Sequence, residues 1–327
     1  MTIRVITSFG IVFLIVAAIQ GVKSATLNQV QISGGVRMQG SHVIDPDASF
    51  TLVIAGDPHV GRPATFDAGE PSNNIVHMIT AHNPQYLIFA GDICDQAAYT
   101  QAVTWSNIVV ARSNAGNQIW TVPGNHDACS ECGDVGGCDA GDSVCSETYS
   151  NFQFTINAGS STFHWTKNIG IFRFIGFDSR QKREEPNLGF GKVEDAEYAW
   201  LTNEIAVSAA LGRKSIIVTH YPLLDFYGNN IKVHQAEIIN AMSNAGNVLI
   251  YFGAHRHGWG ERQTNAGTVH ISLPGVSYSQ LAFDSPYSGE GGYYFVHVSN
   301  RTWNGFLYAC DEPTYTARPN SNFSLAY

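Results

Sequence analysis

Five short motifs each close an apolar run and carry Asp, His or Asn. They are GDPHVG with Asp57 and His59, GDICD with Asp92 and Asp95, PGNHD with Asn125, His126 and Asp127, VTHYP with His220, and GAHRHG with His255 and His257. Singly each has an ordinary explanation, since Gly-Asp after a strand is turn chemistry and a lone His is commonly a hydrogen-bonded core residue. Together they read as one site. Carboxylate, imidazole and amide oxygen without thiolate form a donor set suited to hard or borderline cations such as Mn, Fe or Zn. Four of the five motifs open with or directly follow Gly or Pro, where backbone can approach an ion closely.

The elements that must position these residues alternate short β-rich runs with longer amphipathic ones, the pattern of a layered α/β domain. Strands are predicted at 50–56, 86–91, 118–124, 169–177, 215–220, 248–254, 268–273, 292–298 and 305–309, and helices at 73–82, 97–113, 195–211 and 234–245. In the third helix Ala196, Ala199, Trp200, Asn203 and Val207 recur on one side at helical spacing, opposite acidic and polar residues. The early chain reads strand, helix, strand, helix, strand, and the end reads as successive strands. That order implies an α/β fold of two packed mixed β-sheets flanked by helices. Polar groups just past the carboxyl ends of buried strands then occupy the crevice where ligands bind in such sheets. With no repeat, low-complexity linker or charge block, one catalytic domain is expected over 49–310, with an N-terminal extension at 25–48 able to add an edge strand and a C-terminal tail at 311–327.

The 327 residues are 44% hydrophobic and only 14% charged, enough apolar material for a large core, which excludes global disorder and coiled coil. Arg4, an apolar run from Ile11 to Ile19, and Val22 and Ser24 at the positions a signal peptidase reads predict a signal peptide over 1–24. That run is short against the roughly 20 residues that span a bilayer, so no membrane anchor is expected once it is cleaved. A net charge of −9 with no Lys/Arg run argues against a nucleic-acid partner held through a basic surface. Cys129, Cys132, Cys138 and Cys145 crowd a Gly- and Asp-rich stretch and are expected to pair among themselves, leaving Cys94 and Cys310 to pair or remain free. A structural zinc is the rival reading, but the spacing fits no common paired knuckle. Asn300 and Asn322 begin glycosylation sequons, which are compatible with export.

The ordered motifs resemble the calcineurin-like metallophosphoesterase superfamily, whose pattern D-x-H, G-D-x-x-D, G-N-H-D/E, a lone His and G-H-x-H runs here from Asp57 to His257. The resemblance implies a four-layer sandwich and two divalent or mixed-valence metal ions. Asp57, His59 and His257 correspond to ligands of the first ion, and Asn125, His220 and His255 to ligands of the second. Asp92 would bridge both, with a hydroxide completing the bridge. His126 corresponds to the catalytic histidine, which contacts the phosphoryl oxygens or protonates the leaving group, and Asp127 would orient its imidazole. The implied activity is that of a secreted hydrolase taking small-molecule phosphate mono- or diesters by in-line attack of the bridging hydroxide. Two cations about 3.5–4 Å apart suit that chemistry, because they neutralise phosphoryl oxygens and acidify water.

No GxSxG elbow and no Gly-rich phosphate loop offers a covalent or nucleotide-cradling alternative. Two positions depart from the pattern: Ala254 precedes His255 where the family has Gly, and Asp95 stands where the purple acid phosphatase branch has a metal-ligating tyrosine, which disfavours that branch. Arg256, between two candidate ligands, could touch substrate phosphate, although alternation points it outward. The aromatic, Gly-rich stretch 277–295 could wall a pocket or be a long loop. His77, His82, His164, His234, His270 and His297 lack metal-type neighbours and are read as structural. The alternative function is a catalytically inactive secreted binding glycoprotein that retains the fold. Loss of activity usually removes ligands first, and every expected ligand is present.

Overall fold

The computed structural model describes residues 30–31, 37–38, 49–61, 71–95, 99–113, 116–127, 163–180, 190–226, 230–277, 291–299, 301–310 and 315–327. The predicted signal peptide, the four-cysteine stretch, Asn300 and most of 277–295 lie outside the described residues. The chain divides into a unit ending at Ile44 and a larger one from Asp45 to Tyr327. In the first, β1 (Val30–Gln31) pairs antiparallel with β2 (Arg37–Met38).

The larger unit begins with β3 (Phe50–Ala55), α1 (Pro71–His82), β4 (Tyr86–Ala90), α2 (Tyr99–Ser113) and β5 (Gln118–Val122). It continues through β6 (Trp165–Ile169), β7 (Phe172–Gly176), β8 (Gly191–Lys192), α3 (Asp195–Ala210), β9 (Lys214–Val218), β10 (Ile231–Val233), α4 (Gln235–Ala245) and β11 (Val248–Gly253). β12 (Arg262–Asn265), β13 (Thr268–Ser272), β14 (Gly292–Ser299), β15 (Thr302–Ala309) and β16 (Phe323–Ala326) complete it. One sheet has the order β16-β15-β14-β3-β4-β5 and the other β12-β13-β11-β9-β7-β6. β3, β4 and β5 run parallel, as do β7, β9, β11 and β13, while the flanking strands pair antiparallel, so both sheets are mixed.

Alternation of side chains along each strand creates the layers. Phe50, Leu52 and Ile54 of β3 enter a core shared with Phe172 and Phe174 of β7, Ile216 and Val218 of β9, and Ile250 and Phe252 of β11, which is the space between the sheets. Val53 and Ala55, on the other face of β3, join Leu87 and Phe89 against Ile75, Met78 and Ile79 of α1 and Trp105 of α2. Ile175, Ile217 and Tyr251 do the same on the second sheet, against Leu201 and Ile205 of α3 and Ile238 and Met242 of α4. The result is the helix, sheet, sheet, helix sandwich expected from the sequence. Each fully buried Leu, Ile or Phe stabilises it by ~1.5–3 kcal/mol. Trp303 is wholly buried and meets the rings of Phe50 and Phe172 edge to face, with centroids 6.0 and 5.2 Å away, which ties one sheet to the other.

Four details differ from the sequence reading. The run 169–177 is not one strand: a turn at Gly170 and Ile171 separates β6 from β7, and Trp165 fills the space that a Cβ on its cross-strand partner Gly176 would need. The buried side of α3 is Leu201, Ile205 and Ser208, whereas Ala196, Ala199 and Asn203 are exposed. Small apolar residues all round this helix blur its periodicity, and the larger side chains decide which face is buried. Part of the expected tail, β16, adds an edge strand to β15 and buries Phe323. The short strands β8, β10 and β12 carry too few apolar residues to register as strands. Among the described residues no helix is long and apolar enough to cross a membrane.

Candidate metal centre

The five motifs follow β3, β4, β5, β9 and β11, all at carboxyl ends, and the structure brings them together. Main-chain bonds stitch one loop to the next: Asp57 N to Gly91 O at 3.0 Å, His59 N to Asp92 O at 2.9 Å, and Ala254 N to His220 O at 2.7 Å. These bonds hold an unusual backbone. Asp57, His59, Asp92, His255 and His257 all have left-handed φ, between 46° and 66°. Each such residue costs about 1–3 kcal/mol and persists only where its surroundings over-determine it. Glycine supplies the close approaches. Gly91 lies at φ 87°, where a Cβ would meet His220 Nδ1 at 2.6 Å, and a Cβ at Gly124 would collide with the Asp92 carboxylate.

Asp57, His59 and His257 form one group of converging ligand atoms, and Asp92, His220 and His255 form another. In the first, His59 Nε2 faces His257 Nε2 at 3.3 Å, and Asp57 Oδ1 lies 3.3 Å from His257 Nε2. In the second, Asn125 Oδ1 lies 2.8 Å from His220 Nε2 and 2.9 Å from His255 Nδ1. Asp92 sits between the groups, its Oδ2 being 3.3 Å from His220 Nε2 and 3.8 Å from His59 Nε2. His220 Nδ1 donates to Ala90 O at 2.8 Å, which directs Nε2 into the cluster.

The electrostatics fit a cation. Asp57 and Asp92 are almost wholly buried, and Asp57 Oδ1 accepts no hydrogen bond. Burial alone would raise both carboxyls, but the surrounding histidines outweigh it: His257 and then His220 lower Asp57, and His220 and then His126 hold Asp92 well below its usual range. Two buried carboxylates of this kind call for positive charge beside them. Burial pushes His59 down to about 4, and burial with His220 pushes His255 down to about 3, so both imidazoles are neutral, the form that ligates. On His220 burial opposes charge but Asp92 prevails, raising it to about 9, so in the absence of a cation a proton takes up part of that role. The residues therefore suit metal ions in charge, donor type and convergence.

His126 lies beside this cluster, half-buried, its ring edge-on to His59 at 4.7 Å. Its orienting partner is not the expected Asp127. Both Asp127 oxygens accept backbone N–H groups, from Ile93, Cys94 and Gly124, while His126 Nδ1 donates to the main-chain carbonyl of Asp95 at 2.7 Å. A short 3-10 turn over Asn125–Asp127 makes the difference by turning the two neighbouring side chains apart. Burial and then Asp92 raise the Asp127 carboxyl against the pull of its three N–H donors. The Asp95 carboxylate lies 3.2 Å from His59 Nδ1, a further carboxylate–imidazole pair the sequence did not foretell, and with His126 the two form a third group of converging ligand atoms. Ser179 is another unforeseen support: its hydroxyl joins Thr219 Oγ1 at 2.7 Å and Tyr221 N at 3.0 Å, and the Tyr221 ring packs on His255 at 4.1 Å. A lone Ser after a strand carries no signal that would reveal this.

The histidines read as structural belong to none of the metal-type groups. His82 bonds Tyr293 OH at 2.9 Å, His164 bonds Glu197 and stacks on Trp200, His234 bonds Asp195, and His77 stacks on Tyr315. Cys94 and Cys310 are both buried in the apolar cluster outside β3 and β4, and no disulfide links them. Burial, then Asp127, Asp92 and Asp95, push the Cys94 thiol well up, so it stays protonated beside the centre.

A two-sheet α/β sandwich with adjoining metal-type groups at its strand ends defines the class. The sequence profile of the calcineurin-like phosphoesterases matches residues 50–259, and the chain belongs to that family. It is 27% identical over 190 residues to a probable cyclic nucleotide phosphodiesterase of Rhodococcus erythropolis, a stretch covering 54% of each chain, so it spans about half the length of that relative. The fold is similar to a dimetal phosphatase from Danio rerio, with a TM-score of 0.57 at 13% identity over 85% of this chain and 99% of that one. It is also similar to a purple acid phosphatase from yellow lupin, Lupinus luteus, with a TM-score of 0.58 at 13% identity over 86% of this chain and 54% of that one.

Proposed function

We propose that the chain is a dimetal phosphoesterase that hydrolyses phosphate mono- or diesters. Asp57, His59 and His257 would hold one ion, Asn125, His220 and His255 the other, and Asp92 would span the two. The observation that carries this reading is the place of Asp92 Oδ2, within 3.8 Å of a ring nitrogen of each group. When bound, a pair of Mn, Fe or Zn ions supplies Lewis acidity to the phosphoryl oxygens and lowers the pKa of bound water.

The chain's own residues do the rest. Main-chain hydrogen bonds between the loops and their left-handed residues would hold the ligand atoms in register for the ions. His126 is held through Nδ1 by a carbonyl, which can only accept, so its chemistry would fall to Nε2, acting on the leaving oxygen or a phosphoryl oxygen of the substrate. Asp95, through its carbonyl and its carboxylate, steadies His126 and His59 together.

The test is a substrate panel of monoesters, diesters and pyrophosphates, with purified protein and added Mn, Zn or Fe. The likeness to a protein named as a probable cyclic nucleotide phosphodiesterase puts cyclic nucleotides on the panel. No turnover of any ester under any metal would reject the proposal. Export belongs to the same reading, supported by the N-terminal apolar run and the crowded cysteines; N-terminal sequencing of protein recovered from the culture medium checks it, with Ala25 as the expected first residue.

A further inference from the structure

We infer that Asp127 is a positioning residue that clamps the two ligand-bearing loops after β4 and β5 together, and so sets where Asp92 and Asn125 stand. The inference rests on the dimetal reading of those two residues. Asp127 is buried, and its oxygens are filled by main-chain donors from both loops: Oδ2 accepts from Gly124 N at 2.8 Å and Ile93 N at 3.1 Å, and Oδ1 accepts from Cys94 N at 3.0 Å. Gly124 immediately precedes Asn125, and Ile93 immediately follows Asp92.

The link is reciprocal, because Asp92 Oδ1 accepts from His126 N at 2.8 Å. Each loop thus offers a carboxylate to the other's backbone. The two loops are so close that only Gly is accommodated at position 124, where a Cβ would strike both the backbone and the carboxylate of Asp92. A carboxylate is required at 127 because three N–H groups converge on it. An amide has one acceptor oxygen, and its N–H atoms would face a backbone donor. A slip between the loops would move Asp92 Oδ2 away from one of the two groups it now faces, and the cost falls on the ion pair rather than on the fold.

Asp127→Asn, nearly isosteric, tests this in the full chain loaded with manganese. The wild type should take up two ions and show the electron paramagnetic resonance signature of an exchange-coupled pair. In the variant the weaker-bound ion should lose about 10- to 100-fold in affinity, the usual effect of removing a partner behind the ligands, and the coupled signal should give way to isolated manganese. Unchanged affinities with an intact coupled signal would overturn the clamp. A wild type that shows no coupled pair would overturn the dimetal reading itself, and the clamp with it.

A second measurement needs no variant. Hydrogen exchange on metal-free wild type should find the amides of Ile93, Cys94 and Gly124 protected, since Asp127 and not the ions holds them. Free exchange there until metal is added would assign the ordering to the ions and overturn the inference.

Discussion

His59 and His257 face each other through Nε2 at 3.3 Å, from loops 198 positions apart in sequence, and both rings are buried. Two imidazole lone pairs at that distance repel unless a proton or a cation lies between them, and Asp57 Oδ1, without a hydrogen bond of its own, flanks the pair. Metal removal should therefore destabilise the protein. A strong chelator is expected to lower the melting temperature, and excess Mn or Zn to restore it, because binding to the folded state alone stabilises it by about 2.7 kcal/mol per ion at a free concentration 100 times Kd. Differential scanning calorimetry with and without chelator checks this, and a melting temperature indifferent to metal counts against an ion at this pair.

Asp92→Ala removes a carboxylate whose Oδ2 lies within 3.8 Å of a ring nitrogen of each group. Bound metal should drop from about two ions per chain to one or fewer, and phosphoester turnover should fall to background, a larger loss than any single terminal ligand would cause. Plasma emission on dialysed protein and the panel substrate of highest turnover give the two readouts. An active Asp92→Ala protein holding both ions would remove Asp92 from its proposed place.

Asp95 also predicts a colour. Ferric iron is intensely coloured when a phenolate ligates it, and at this position the chain offers a carboxylate already set 3.2 Å from His59 Nδ1. Protein loaded with ferric and a divalent ion is expected to show no intense visible charge-transfer band. Such a band in the absorption spectrum would mean that a tyrosine from elsewhere in the chain has entered the centre.

Much of the centre was legible because its residues are side chains at punctuated places: Gly-Asp, Asn-His and His-Arg-His directly after runs such as FTLVIA and VLIYFG are visible without any knowledge of packing. The fold was legible for the same reason, since β3, β4, β9 and β11 are dominated by short apolar runs. What stayed hidden depends on backbone or on three-dimensional neighbours. Asp127 adjoins His126 in sequence, which suggested a pair, yet its partners are main-chain N–H groups that no residue type announces. The partner of His126 is the carbonyl of Asp95, equally silent. In α3 the competition between Ala and Val on one side and Leu201 and Ile205 on another is settled only by what the sheet offers to pack against.

Stability should fall in mild acid through two histidines outside the centre. Burial, then His77, holds His82 at about 4, and burial holds His270 at about 4. Unfolded, each titrates at about 6.5. Above that pH both states are neutral and the contribution is complete; as the pH falls from 6.5 towards 4 the unfolded chain takes up protons that the folded one refuses, and stability is lost. Urea midpoints measured across this window in the presence of chelator should fall more steeply for wild type than for a His82→Gln, His270→Gln variant. Parallel slopes would show that neither residue is held neutral in the fold.

The last expectation concerns how His126 acts. The Asp95 carbonyl fixes its Nδ1 as a donor, so Nε2 either gives a proton to the departing oxygen or makes contact with the phosphoryl oxygens. A general acid matters most for a poor leaving group, because an alkoxide departs with difficulty unless protonated whereas a nitrophenolate needs little help. If His126 is that acid, His126→Ala should lower kcat for alkyl phosphate esters by roughly 10²- to 10⁴-fold and cost much less with p-nitrophenyl esters. If it only binds phosphoryl oxygens, both substrates should lose comparable activity, since those oxygens are common to them. Plotting log kcat against leaving-group pKa for wild type and variant separates the two: a steeper line for His126→Ala establishes the acid, and parallel lines eliminate it.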